Sequence, residues 1–278
     1  MKKHLTLQAV KMHGIGNDFV LLDNPRICDE LFPEIARTIC DRHFGIGADG
    51  LLVVQPSVNA DAAMRIFNAD GSEAQMCGNG IRCVGKYIYE TKKISTLTPT
   101  IETRSGLKKL LLHADADSHI IKATVDMGIA SRYLSDSPVE MMTSCGQMRV
   151  TPVSTGNPHG VIFVDSLSSL PLSKIGPELE NKPLWPDRAN IEFIHPVADH
   201  IIEQRTWERG VGETLACGTG ACAAAYAYVD SGLGAWPVTV RLLGGELTID
   251  CDNSSRHLFM TGNAVTAFTT DFTFTLIS

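Results

Sequence analysis

The chain has 278 residues, 44% of them hydrophobic and 20% charged, with a net charge of −7. That composition excludes a disordered or low-complexity chain, and the length predicts about two domains of roughly 150 residues. The acidic balance, with basic residues clustering no further than Lys2-Lys3, Lys92-Lys93 and Lys108-Lys109, speaks against nucleic acid and a membrane surface as partners. The most apolar stretch, Leu215 to Val229, is too short to span a bilayer and is broken by Gly and Thr. Thr6, Gln8, Lys11 and His13 interrupt any apolar leader after Lys2-Lys3, so a cytoplasmic protein is expected.

In chain order, β runs are predicted at Phe19–Leu22, Gly50–Val54 and Ala63–Phe67, with one surface helix over Asp29–Arg42 between the first two. A helix follows Cys77, where Ile81, Val84 and Ile88 recur at helical spacing. Further strands are expected at Ile120–Val125, Gly160–Val164 and Ile202–Trp207. A second helix, Ala221 to Val229, is small and apolar nearly all round, the signature of a buried helix. Strands at Val238–Leu243, Glu246–Ile249 and Phe272–Ile277 complete the reading.

The chain repeats itself at an offset of 140 residues. Arg65 to Gly80 lies over Arg205 to Gly220 without a gap: Arg65 pairs with Arg205, Phe67 with Trp207, Glu73 with Glu213 and Cys77 with Cys217. The same offset sets Gly16-Asn17 over Gly156-Asn157. Two separated matches at one offset predict a duplicated α/β unit, each copy strand-rich and wrapped around one apolar helix.

Each copy carries Cys-Gly-x-Gly just before its helix. A thiol there gains from the positive end of the helix dipole, which raises its thiolate fraction. The glycines leave backbone N–H groups free to cradle a carboxylate. Two such corners suit stereoinversion at a carbon next to a carboxylate: one cysteine removes the α-proton and the other returns a proton to the opposite face. The remaining thiols, Cys28, Cys40, Cys83, Cys145, Cys222 and Cys251, are expected to be reduced and to serve packing. Their spacings fit no metal site, so none is expected.

Met12-His-Gly-Ile-Gly-Asn-Asp-Phe19, Phe67-Asn-Ala-Asp-Gly-Ser-Glu73, Cys77-Gly-Asn-Gly-Ile-Arg82, Gly156-Asn-Pro-His159, Trp207-Glu-Arg-Gly210 and Ala216-Cys-Gly-Thr-Gly-Ala-Cys222 together resemble the diaminopimelate epimerase family over essentially the whole chain. The resemblance implies an α/β fold of two pseudo-symmetric domains, each a β-barrel-like sheet around a central helix, with the site in the cleft between them. It implies an N-terminal half of 1–127 plus 266–278 and a C-terminal half of 128–265. The implied activity is interconversion of LL- and meso-2,6-diaminopimelate in lysine biosynthesis, with no cofactor. The alternative is a related cofactor-free proline or hydroxyproline racemase.

Carried over position by position, Cys77 and Cys217 match the catalytic thiols, and His159 and Glu208 match residues that tune them. Gly78, Asn79, Gly218 and Thr219 match the loops that bind the α-carboxylate. Asn17, Asn68, Asn157, Asn190, Glu208 and Arg209 match further substrate contacts. Two positions depart. Gly50 stands where some members have Gln, so that side-chain contact is lost here. Phe268 stands where many have Tyr at a dimer contact, so the implied homodimer would keep aromatic packing without a phenolic hydrogen bond.

Overall fold

The computed structural model describes residues 2–277, with side chains from 4 to 275. Residues up to 125 and from 262 onward form one compact unit, and residues 126–261 form a second.

In the first unit, β1 (Lys2–Gly14) turns at Gly16, whose φ of +84° favours glycine, into antiparallel β2 (Asn17–Asp23). Helix α1 (Phe32–Ile39) crosses over to β3 (Gly50–Gln55), which runs parallel to β2. Then β4 (Ala62–Asn68) and the short β5 (Glu73–Ala74) fold back antiparallel. The chain enters α2 (Gly78–Glu90) and continues through β6 (Thr100–Thr103), β7 (Gly106–Ala114) and β8 (Ile120–Ile129). Helix α2 packs against β1, β2, β3, β4 and β7, so the sheet wraps around it.

The second unit holds β9 (Ser131–Arg132), β10 (Val139–Thr143), β11 (Gly146–Ser154) and β12 (Pro158–Phe163). Helix α3 (Leu172–Glu180) crosses to β13 (Asn190–Ala198), parallel to β12, followed by β14 (Ile201–Glu208) and β15 (Gly212–Thr214). Helix α4 (Gly218–Asp230) is enclosed by β11, β12, β13, β14, β16 (Val238–Leu242) and β17 (Gly245–Cys251). Strand β18 (His257–Asn263) then leads back, and β19 (Val265–Ile277) pairs antiparallel with β1.

The duplication holds at the level of strand register. Phe19 opposes Gly50 as His159 opposes Asn190, and Leu52 opposes Ile66 as Glu192 opposes Thr206. The matched ion pairs form in both copies: Arg65 Nε meets Glu73 at 2.8 Å and Arg205 Nε meets Glu213 at 2.7 Å. Arg65 also lies over the Phe32 and Phe67 rings, 5.4 and 5.1 Å from their centroids.

Three sequence expectations are corrected. The helix expected over Asp29–Arg42 is a 3-10 turn at Asp29–Leu31 followed by α1 alone. It stops at Cys40 because the Asp41 carboxylate accepts from the His43 and Phe44 N–H groups, a turn that competes with further helix. Nor is α1 a surface helix throughout: Phe32, Ile35, Ala36 and Ile39 are buried in the core of the first unit. Cys40, Cys83 and Cys222 pack as expected, but Cys28 and Cys145 are exposed and Cys251 is half-buried, each lying outside the helix interiors.

Helix α3 was hidden by Pro171, Ser173, Gly176 and Pro177. Its Leu172, Ile175 and Leu179 nevertheless fill the second core at spacings of three and four, at the places that Phe32, Ile35 and Ile39 take in the first. Gly176 is needed there because any Cβ would lie 2.4 Å from the Trp207 indole.

Candidate active site

Both thiols stand in the same local geometry. Cys77 and Cys217 are the extended residues just before α2 and α4, with φ/ψ of −138°/121° and −126°/113°. Their sulfurs take the capping place usually held by a Ser or Asp oxygen. Gly80 N–H donates to Cys77 Sγ at 3.4 Å, and Gly220 N–H to Cys217 Sγ at 3.3 Å. The aligned peptide dipoles and these N–H groups favour negative charge on either sulfur.

Beyond that shared cap the surroundings differ. In the first unit a polarised chain runs past Cys77. Arg82, fully buried, donates through Nη2 to Asn79 Oδ1 at 2.9 Å. Asn79 Nδ2 donates to Asn17 Oδ1 at 3.1 Å, and Asn17 Nδ2 donates to Asp49 Oδ2 at 2.8 Å. A guanidinium can only donate and an ionised carboxylate only accept, so both amide orientations are fixed from the ends. Asn17 therefore turns its carbonyl oxygen towards Cys77, whose Sγ donates to it at 3.8 Å. Asp49 is held in turn by Arg42 at 2.8 Å and accepts from the Asp18 N–H. Asn68 is exposed and donates to Ser72 Oγ at 2.9 Å, apart from this chain.

In the second unit Cys217 is buried, and its thiol is pushed well above the ordinary range. Burial is the largest cause, followed by the negative charges of Glu208 and Glu192; the Thr219 hydroxyl and the Gly220 N–H oppose them. Thr219 Oγ1 lies 3.6 Å from Sγ, and Glu208 accepts from Thr214 Oγ1 at 2.6 Å. His159 is fully buried between Glu192 Oε1, 2.9 Å from Nδ1, and Asn157 Oδ1, 3.0 Å from Nε2. Asn190 Oδ1 accepts from the Arg209 N–H at 2.9 Å. The Arg209 side chain folds onto the Asp187 carboxylate at 2.8 Å and its carbonyl at 2.6 Å. Glu180 fixes the loop that carries Arg209, accepting from Gly210 N–H and Trp207 Nε1.

The structure thus joins Asn17, Cys77 and Asn79 in one unit. In the other it joins Cys217 with Thr219, Asn157 with His159, and Asn190 with Arg209. Gly78 and Gly218 open the two helices. At Gly50 a Cβ would lie 2.9 Å from the Phe67 carbonyl oxygen, so the strand leaves no room for a side chain there. Sequence reasoning missed Asp49, Arg82 and Glu192. Each left a signal: Arg82 ends the Cys77 motif, Asp49 directly precedes Gly50, and Glu192 is a lone charge in the apolar run Ile191 to Ile194, at the offset from Leu52.

Comparison with solved structures finds the same fold in proteins of low sequence identity. The structure superposes on a hydroxyproline epimerase from Agrobacterium vitis with a TM-score of 0.74 at 17% identity, covering 97% of this chain and 93% of that one. A PhzF-family phenazine biosynthesis protein of Bacillus anthracis gives 0.74 at 16% identity, covering 99% and 100%. At such identities the likeness establishes the fold alone.

The family follows from sequence. The diaminopimelate epimerase family matches residues 9–133 and 151–267. A diaminopimelate epimerase of Desulfovibrio desulfuricans is 45% identical, covering 96% of this chain and 99% of its own length. One of Methanococcus maripaludis is 44% identical, covering 94% and 98%. The chain belongs to the diaminopimelate epimerase family.

Proposed function

We propose that the protein interconverts LL- and meso-2,6-diaminopimelate, a step of lysine biosynthesis, with Cys77 and Cys217 as the acid–base pair and no cofactor. The observation that carries this reading is the pair of thiols capping equivalent helices in a duplicated fold, each beside backbone donors. The first-turn N–H groups at Gly78-Asn79 and Gly218-Thr219 suit an α-carboxylate, and they stabilise the charge that develops when the α-proton leaves. One sulfur, as thiolate, takes that proton; the other, as thiol, delivers its own to the opposite face, and the two exchange states. Burial and the Glu208 and Glu192 charges push the Cys217 thiol up, which favours its protonated form and suits it to deliver a proton.

Asn17, Asn79, Asn157 and Asn190 supply mixed donors and acceptors for a substrate with two amino-acid ends, and Arg209 can exchange Asp187 for a substrate carboxylate. Asn68 and Thr219 complete the contacts, and His159 and Glu208 tune the thiols. A cytoplasmic homodimer is part of the proposal. The exposed Phe268 and Val265 of β19 offer an apolar contact for it.

The test is proton NMR of LL-diaminopimelate with enzyme in deuterium oxide. The α-proton signal should disappear as the meso isomer forms, and Cys77→Ala or Cys217→Ala should slow this at least about a hundredfold. No exchange with wild-type protein, or exchange of L-proline instead, would overturn the assignment.

A further inference from the structure

The duplicated fold contains its own control for one buried group. Under the N-terminal turn of α2, Leu52 lies against Gly80, its Cδ2 being 2.9 Å from the place of a Gly80 Cβ. At the matching position under α4 stands Glu192, with Oε1 2.6 Å from the place of a Gly220 Cβ. Phe19 in the first unit is replaced by His159 in the second. The scaffold is therefore built with an apolar pair in one copy and with a fully buried imidazole–carboxylate pair in the other. A buried carboxylate costs several kcal/mol unless fully compensated, and here Glu192 Oε2 has no hydrogen-bond partner among the described residues. Packing does not require this expense.

The geometry shows what the pair does to Asn157. His159 Nε2 faces an amide oxygen, an obligate acceptor, so Nε2 carries a proton. Nδ1 faces Glu192 Oε1, so a second proton lies on Nδ1 or on Oε1, shared between them. Asn157 Oδ1 is held by His159 Nε2 and by Thr155 Oγ1 at 3.2 Å, and its Nδ2 is left without a protein partner among the described residues. Asn17, the equivalent residue, is held the other way round: Asp49 takes its Nδ2 and its carbonyl oxygen faces Cys77. The same residue thus presents an acceptor in one unit and a donor in the other.

We propose that Glu192 is a positioning residue: acting through His159, it sets the amide polarity of Asn157 so that this half-site offers an N–H2 group to a substrate carboxylate. The inference rests on the proposed epimerase reading, and it adds a residue to which the matched motifs assign no role. Glu192→Leu places the first unit's Leu52 side chain at the matching position and removes the partner of His159 Nδ1. Glu192→Gln keeps a polar partner for Nδ1 while removing the charge.

With LL-diaminopimelate as substrate, Glu192→Leu should raise KM about tenfold or more with a smaller change in kcat, as expected for a misdirected bond to a charged group. Glu192→Gln should restore KM to within about threefold of wild type, because it keeps a polar partner for His159 Nδ1 without the charge. Nitrogen-15 NMR of the resting protein should show His159 Nε2 protonated in wild type and in Glu192→Gln. The inference is overturned if wild-type Nε2 is bare, if Glu192→Leu leaves KM unchanged, or if Glu192→Gln loses as much as Glu192→Leu. Wild-type protein that fails to exchange the α-proton would overturn the epimerase reading alone, since the NMR measurement needs no turnover.

Discussion

Replacing Gly220 by alanine tests the geometry around Cys217 directly. The added methyl would sit 2.6 Å from Glu192 Oε1 and 3.2 Å from Cys217 Sγ, about 1 Å and about half an ångström short of ordinary contact. Glu192 is fully buried and tied to His159 at 2.9 Å, so its carboxylate has nowhere to swing. Either that pair breaks or the sulfur moves. Overpacking of this kind costs about 1–3 kcal/mol, and the helix preference of alanine over glycine returns about 1 kcal/mol. The variant should therefore lose only about 0–2 kcal/mol of stability in urea titration. Its rate of α-proton exchange should fall by more than about tenfold, because the sulfur must give by about half an ångström and a displacement near 1 Å at a reacting group costs about a hundredfold. The matched control is Gly80→Ala, whose methyl meets Leu52 Cδ2 at 2.9 Å but Cys77 Cβ at an ordinary 3.6 Å. It should lose similar stability and keep activity within about tenfold. A Gly220→Ala enzyme as active as wild type, or a Gly80→Ala enzyme equally dead, would refute the reasoning.

Arg82→Met should destabilise the fold by about 2–4 kcal/mol in urea titration, because it strands the buried Asn79 Oδ1 and removes the side-chain donor to the Asn263 carbonyl; a loss under about 0.5 kcal/mol would contradict the role given to the buried guanidinium. Stability should also fall in alkali. Burial pushes the Cys40 and Cys83 thiols up to about 12 from an ordinary 9.0, so above 9 the unfolded chain ionises while the folded one stays protonated. Each thiol then removes about 1.4 kcal/mol per pH unit until pH passes 12, and contributes no slope below 9. Thermal melts from pH 9 to 11 should steepen accordingly, and Cys83→Ala should flatten that decline.

Much of this molecule can be read without coordinates. The offset of 140 residues marked both thiols and both central helices, because the Gly-rich cap and the apolar helix after it are local features that survive duplication. The same arithmetic set Arg65 and Glu73 over Arg205 and Glu213, and the matched ion pairs formed. Helix α3 escaped because Gly176 and Pro177 look like breakers until Trp207 is seen packing on the glycine.

The differences between the two copies were the part that needed the tertiary structure. Asn17 and Asn157 are one residue type at one repeat position, yet one turns its oxygen to a thiol and the other has its oxygen tied to an imidazole. Local sequence cannot distinguish them, since an amide's orientation is set by whichever obligate donor or acceptor lies behind it. Those groups are Asp49, 32 residues from Asn17, and in the other unit His159, two residues from Asn157 but itself backed by Glu192 from a strand 33 residues on. Pattern and spacing marked where the chemistry sits; the direction of its hydrogen bonds was decided by packing.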